Sequence, residues 1–293
     1  MTRLLVVTNA SAGSADEENV AAALEVLRGG ADVRVESCDG PDELAGVLGG
    51  RDGRTVVLAG GDGSLHLAVS VLRSRGQLSP DEPLGLLPLG TGNDLARTLG
   101  LPLDPGEAAR VLLSGRPRRL DLVTDDAGGV VVNAVHLGIG AEAAEQASAL
   151  KGRLGKAAYA VGSAVAGVRE TGWAVRVEVD GQVVHEGEPV LMVGVCNGRS
   201  VGGGAELAPD AVVDDGLLDV VVATSTGPLA RLGFGVAMRG GDHVAREDVL
   251  AVRGRTVTVS GEPFPTNADG EVGDPVSSRT WTVEPAAWSM LAP

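Results

Sequence analysis

Two hydrophobic periods divide this chain. Over the first 125 residues, short apolar runs at 4–7, 33–35, 55–58, 84–89 and 120–123 read as buried strands. Between them lie stretches with helical spacing: 16–27, where Val20, Leu24 and Leu27 share a face, then 41–48, 64–72, 94–99 and 107–113. Alternating β and α segments predict an open parallel sheet with helices on both faces, a doubly wound α/β domain. Ligands of such sheets bind beyond the carboxyl ends of the strands.

From residue 130 the period changes. Segments 130–135, 175–179, 183–185, 190–195, 217–223 and 256–259 are β-rich and separated by Gly, Asp and Asn turns. Asp180-Gly181 between two such runs is a tight-hairpin signal. Only 154–168 and 229–238 read as helices. The expected fold is α/β plus all-β. A doubly wound domain spans 1–125, an antiparallel, β-sandwich-like domain spans 126–279, and 280–293 packs back on the first.

Composition narrows the function classes. Of 293 residues 44% are hydrophobic but only 2% aromatic, so the cores must be aliphatic. No apolar run nears the roughly 18 residues that span a bilayer. The N-terminus enters a strand directly, without the three-part layout of a signal peptide. Cys38 and Cys196 fit no metal spacing, and a reducing cytoplasm is the expected location. The net charge of −15 argues against nucleic acid and against strong electrostatic adhesion to anionic membranes. Lys151 and Lys156 are the only lysines, and the G-x-x-x-x-G-K-[ST] phosphate loop is absent.

Phosphate chemistry enters through two other loops. The run 55–58 ends in Gly60-Gly61-Asp62-Gly63-Ser64, and a helix follows at once. Such glycines let backbone approach a phosphate, and the helix N-terminus favours an anion. Asp62 is misplaced for that purpose unless a cation lies between, which suggests a magnesium-bound nucleotide. The alternative is an ordinary turn with Asp62 as a helix cap. The next run ends likewise, in Gly90-Thr91-Gly92-Asn93-Asp94-Leu95-Ala96-Arg97. Thr91 can donate to a phosphate oxygen, Asp94 can approach the metal region and Arg97 can face polyphosphate. Capping is again the alternative for Asn93 and Asp94. Asp121 adds a third carboxylate.

These two loops resemble the signature of the diacylglycerol kinase catalytic domain, which sphingosine kinases and bacterial lipid kinases share. The likeness continues through Asn197-Gly198, Gly202-Gly203-Gly204, Ala208-Pro209-Asp210-Ala211, Asp214-Asp215-Gly216-Leu217-Leu218-Asp219 and Asp269-Gly270-Glu271. It implies a magnesium-dependent transfer of the ATP γ-phosphate to a lipid hydroxyl. ATP would lie along Gly60, Gly61, Asp62, Gly63, Ser64, Leu65 and His66 and touch Thr91, Asn93 and Arg97. Asp62 and Glu271 would be catalytic, Glu271 as general base. A structural magnesium would be held by Asp215 and the carbonyls of Val212 and Leu217, with a water network reaching Asp62, Asp94 and Asp121. The lipid would be met at the membrane surface, with peripheral and transient attachment at most; a homodimer stays open.

Two departures from the family pattern stand out. Asn9-Ala10-Ser11-Ala12-Gly13-Ser14 carries no basic residue, and His66 stands where an Asn often follows the glycine loop. Weaker signals have plainer readings. Gly138-Ile139-Gly140-Ala141-Glu142-Ala143 fits G-x-G-x-x-A but lies far from a first βαβ unit, so a tight turn accounts for it. His136, His185 and His243 are isolated and read as structural. The basic run Arg116-Pro117-Arg118-Arg119 is a solvated loop or a headgroup contact. Two other functions compete: a kinase of a non-lipid hydroxyl such as that of NAD, and a catalytically silent nucleotide-binding regulator. The joint presence of Asp62, Asp94 and Glu271 argues against the second.

Overall fold

The computed structural model describes residues 2–9, 14–138, 172–224 and 227–293. The helix expected at 154–168, residues 10–13 of the first loop and all but the first residue of the G-x-G-x-x-A segment lie outside them. The chain divides into two compact units, Met1–Leu122 with Glu284–Pro293, and Val123–Val283.

In the first unit, strands β1 (Thr2–Asn9), β2 (Ala31–Cys38), β3 (Thr55–Gly60) and β4 (Gly85–Pro88) form a parallel sheet in the order β2-β1-β3-β4. Helices α1 (Ser14–Gly30), α2 (Pro41–Gly49), α3 (Asp62–Ser74), α4 (Asp94–Leu99) and α5 (Pro105–Ser114) connect and follow them. Leu4, Leu5 and Val6 are wholly buried in succession, as a strand covered on both faces must be. Leu4, Val6 and Val57 pack with Leu24, Leu27 and Leu112 of α1 and α5. This strand order reverses direction between β1 and β3, and the loop after β3 lies at the switch point where such sheets bind ligands.

The run at 120–123 differs from expectation. It belongs to β5 (Arg116–Asp125), which pairs antiparallel with β6 (Val130–Val131) and is not one of the four parallel strands. The edge of β4 is met instead by the C-terminal chain. Leu84 N–H donates to Ser289 O at 2.9 Å and Leu291 N–H donates to Leu84 O at 2.8 Å. That C-terminal chain is the end of β17 (Glu271–Ala292), a strand of 22 residues.

The second unit is an antiparallel sheet. β7 (Ala134–Gly138), β11 (Met192–Cys196), β14 (Leu218–Ala223), β15 (Val249–Gly254) and β16 (Thr256–Ala268) run along the path β15-β14-β11-β7-β16-β17. β8 (Trp173–Val179) pairs with β16 and with β9 (Gln182–His185) through the expected hairpin, where Asp180 and Gly181 take positive φ of 51° and 77°. β10 (Pro189–Val190) also pairs with β8, while β12 (Ser200–Val201) and β13 (Ala205–Glu206) form a small separate ladder. Val220 and Val222 of β14 join a core with Val193, Val257, Phe264 and Trp281. Val221 and Ala223 face the opposite cluster with Leu207 and Phe234, the latter on α6 (Pro228–Ala237). Both sheet faces are therefore covered.

Candidate active site

In the first unit, two glycine loops meet backbone to backbone at the carboxyl ends of β3 and β4. A Cβ added to Gly61 would stand 2.7 Å from Gly90 Cα, and one on Gly90 would stand 2.4 Å from Gly61 Cα. No side chain fits between them. Leu89 N–H donates to Gly60 O at 3.0 Å and holds the loops in step. Gly61 occupies the N-cap position of α3 and supplies no capping side chain, which leaves the start of this helix suited to an anion.

The polar residues brace this arrangement. The two Asp62 carboxylate oxygens accept the N–H groups of Asp94 and Leu95 at 3.1 and 3.2 Å, so Asp62 caps the helix of the neighbouring loop. Asn93 is buried in a left-handed conformation at φ 54°. Its Oδ1 accepts from Gly90 N–H at 3.0 Å, and its Nδ2 donates to Gly90 O at 2.7 Å and Pro88 O at 3.2 Å. Asn93 thus shapes the loop and has little left for a phosphate. The Leu65 side chain is fully buried and its N–H donates to Gly61 O, so its side chain is core. Thr91 and Arg97 are exposed beside the glycines, with Arg97 Nε donating to Gly92 O at 3.2 Å. Ser64 Oγ packs against Gly60, where an added Cβ would meet it at 2.3 Å, and His66 is half-buried. Asp121 is buried on β5, where its carboxylate accepts Ala286 N–H at 2.8 Å; Trp288 Nε1 donates to its carbonyl at 3.0 Å. Those contacts bind Asp121 to the C-terminal segment. Of the basic run, Arg119 pairs with Asp81 at 3.1 Å on the exposed surface.

The second unit carries a turn built around Asp269. Its carboxylate accepts three successive backbone N–H groups: Val132 at 2.7 Å, and Asn133 and Ala134 at 3.0 Å each. Its own N–H donates to Ala134 O at 3.0 Å, while Gly270 N–H donates to Asn267 Oδ1 at 2.9 Å. Asp269 and Gly270 take positive φ of 50° and 94°, which reverses the chain between β16 and β17. Glu271 follows immediately, exposed, and makes no side-chain hydrogen bond among the described residues. One carboxylate builds the turn; the next takes no part in it. The sequence contains Asp269 within its Asp-Gly-Glu triplet, but its clamp role rests on contacts more than 130 residues away.

The proposed magnesium ligands lie on the turn before β14. Asp215 Oδ1 accepts Leu217 N–H at 3.0 Å across Gly216, whose φ is 74°. Its Oδ2 pairs with Arg253 Nη2, and Arg253 Nε lies 3.2 Å from Asp219 Oδ1. A guanidinium and an amide thus already serve both oxygens of Asp215, and the donor set does not fit a divalent cation while Arg253 stays there. Burial raises the Asp219 carboxyl above the usual carboxylate range, with Arg253 opposing it. Among the described residues no three acidic, histidine or cysteine side chains converge on a metal centre. Cys38 and Cys196 are both free and buried. His243 is structural: its ring lies edge-on to Phe234 at 5.3 Å, and its Nε2 is 2.9 Å from Leu207 O.

Comparison with known proteins places the chain. Residues 3–124 match the diacylglycerol kinase catalytic domain, and residues 133–292 match the YegS C-terminal NAD kinase beta sandwich-like domain. A protein of Stenotrophomonas maltophilia (strain K279a), named "Probable lipid kinase YegS-like", is 35% identical over 239 residues, 78% of this chain and 75% of its own length. A protein of the same name from Xanthomonas campestris pv. campestris (strain 8004) is 34% identical over 291 residues, covering 92% of this chain and 90% of its own. A crystal structure of a diacylglycerol kinase from Bacillus anthracis str. Sterne superposes with a TM-score of 0.72 at 19% identity, over 99% of this chain and 97% of that one. Another solved chain from that organism reaches 0.80 at 23% identity, over 99% and 95%. At those identities the structures speak for the fold. Among the described residues no helix is long and apolar enough to cross a membrane. With one family model covering its first part and the other most of its remainder, the chain belongs to the YegS-like family that carries a diacylglycerol kinase catalytic domain.

Proposed function

We propose that this protein is a lipid kinase that transfers the γ-phosphate of magnesium-bound ATP to a lipid hydroxyl. The observation that carries the reading is the interlocked pair of glycine loops at Gly61 and Gly90. Their backbones touch, and a helix without a side-chain cap begins beside them. Phosphoryl transfer asks little covalent chemistry of a protein; it asks for positioned charge and backbone donors. The loop amides cradle the polyphosphate, Thr91 donates to it, and Arg97 neutralises part of its charge. Asp62 fixes the two loops to each other and sets a negative charge beside the magnesium that ATP brings.

Glu271 is the general base in this proposal. As the acceptor oxygen bonds to the γ-phosphorus, its proton passes to the Glu271 carboxylate and ADP leaves with the electrons of the broken P–O bond. Diacylglycerol is one acceptor of the right kind, a hydroxyl on an apolar body met at the membrane surface. No structural magnesium at Asp215 is needed for these steps.

The test is incubation of the full chain with γ-labelled ATP, magnesium and a fractionated lipid extract. Label passing into the organic phase, and lost with Glu271→Gln, is the expected result. Label that stays in water and moves onto added NAD would show a non-lipid acceptor. No transfer to either, with ATP still bound, would mark a silent nucleotide binder.

A further inference from the structure

The resemblance puts a magnesium ion at Asp215, yet the surroundings of that carboxylate are those of a site already neutralised. Asp215, Gly216 and Leu217 form an Asx-type turn, closed by the 3.0 Å bond from Leu217 N–H to Asp215 Oδ1. The turn leads into β14, where Asp219 stands directly opposite Arg253 of β15 in the antiparallel ladder. Register therefore fixes the Arg253 backbone opposite Asp219, and its side chain extends to Asp215. Arg253 Nη2 bonds Asp215 Oδ2, and its Nε lies 3.2 and 3.3 Å from the two oxygens of Asp219. One guanidinium ties the turn to the strand that follows it.

We propose that Arg253 is a built-in cation that takes the place of a divalent metal at Asp215, so that this turn is held without magnesium. Three features carry the inference. A guanidinium offers several donors in a fixed fork and stays charged at every physiological pH, so it can join two carboxylates at once. Magnesium demands a near-octahedral shell of oxygens at short range. Here one Asp215 oxygen faces a guanidinium and the other an amide N–H, both of positive polarity. A metal ion could enter only by displacing Arg253, which would strip the largely buried Asp219 of its counter-charge. The inference concerns how the turn is held and is independent of which acceptor the enzyme phosphorylates.

Thermal melting without nucleotide tests it, in buffers of matched ionic strength that contain either millimolar magnesium chloride or EDTA. The wild type is expected to melt at the same temperature in both. Arg253→Leu leaves Asp215 and Asp219 facing each other, so it should melt several degrees lower in EDTA and recover part of the loss with magnesium. Should Arg253→Leu fail to fold, Arg253→Lys carries the test. Its single ammonium cannot bridge both acids as the fork does, and it should melt lower than wild type in both buffers. A wild-type melting point that rises with magnesium and loses that rise in Asp215→Asn would overturn the proposal. So would an Arg253 variant that melts like the wild type in EDTA.

Discussion

The Asp62 carboxylate accepts the Asp94 backbone N–H at 3.1 Å, so the acid of one glycine loop caps the helix that follows the other. That helix, α4, has only six residues, and Asn93 at its N-cap position makes no side-chain cap bond. A helix so short cannot persist on its own hydrogen bonds. Asp62 is therefore both the brace of the loop pair and the charge nearest the expected phosphates, and its two duties can be separated.

Asp62→Asn keeps an acceptor oxygen and removes the charge. It should cost about 0.5–2 kcal/mol of stability, the worth of a helix cap, and lower turnover by at least about 10²-fold. Asp62→Ala should cost at least as much stability. Urea unfolding alongside steady-state kinetics decides the matter: full turnover in Asp62→Asn would leave Asp62 as a brace alone.

Gly90→Ala and Gly63→Ala should behave oppositely. The new methyl at 90 would stand 2.4 Å from Gly61 Cα, backbone that cannot yield cheaply, and should cost about 1–3 kcal/mol together with ATP binding. At Gly63 a Cβ meets nothing within 4 Å. That variant should unfold like the wild type, and calorimetry should show weaker ATP binding only if a phosphate comes close to this loop.

The parallel sheet was legible because β1, β3 and β4 carry apolar runs buried on both faces, as at Leu4–Val6, and each is followed by a helix of recognisable period. β17 was not. Pro275, Pro285 and many exposed positions break its alternation, and its end is anchored by distant partners such as Leu84. The same limit applies to Asp121, read by resemblance into a water network and found bonded to Ala286 N–H, 165 residues away. Local spacing reports which residues can bear charge or approach a phosphate. It does not report which of them the fold will use as braces, as with Asn93, or which cation, as with Arg253, will answer an acid.

Asp269 and Glu271 should separate folding from chemistry. Asp269→Ala orphans three backbone N–H groups, and each unsatisfied buried donor costs about 1–3 kcal/mol, so its melting point should fall markedly. Glu271→Gln changes an exposed side chain that takes no part in bracing the turn, so melting and ATP affinity should hold while turnover drops about 10²–10⁴-fold. Equal turnover in Glu271→Gln and wild type would remove Glu271 from the role of base.

His136 sits in the middle of β7 between Gly194 of β11 and Asn267 of β16, with no charged residue directly across on either strand. Its Nδ1 is enclosed and has no hydrogen-bond partner among the described residues. Burial pushes its pKa down to about 4 from an ordinary 6.5. The sign follows from proton counting. Below about 6.5 the unfolded chain takes up a proton on this ring while the folded chain refuses it, so stability falls as pH drops from about 6.5 towards about 4. At about 1.4 kcal/mol per pH unit, the full loss is at most about 3.5 kcal/mol. Carboxylates add their own slope at the acid end, so the informative quantity is the difference between wild type and His136→Leu, which has no proton to bind. Urea unfolding across this range should show a steeper decline for the wild type. Parallel curves would mean that the enclosed nitrogen is answered by a partner and that His136 does not govern the acid limit of the fold.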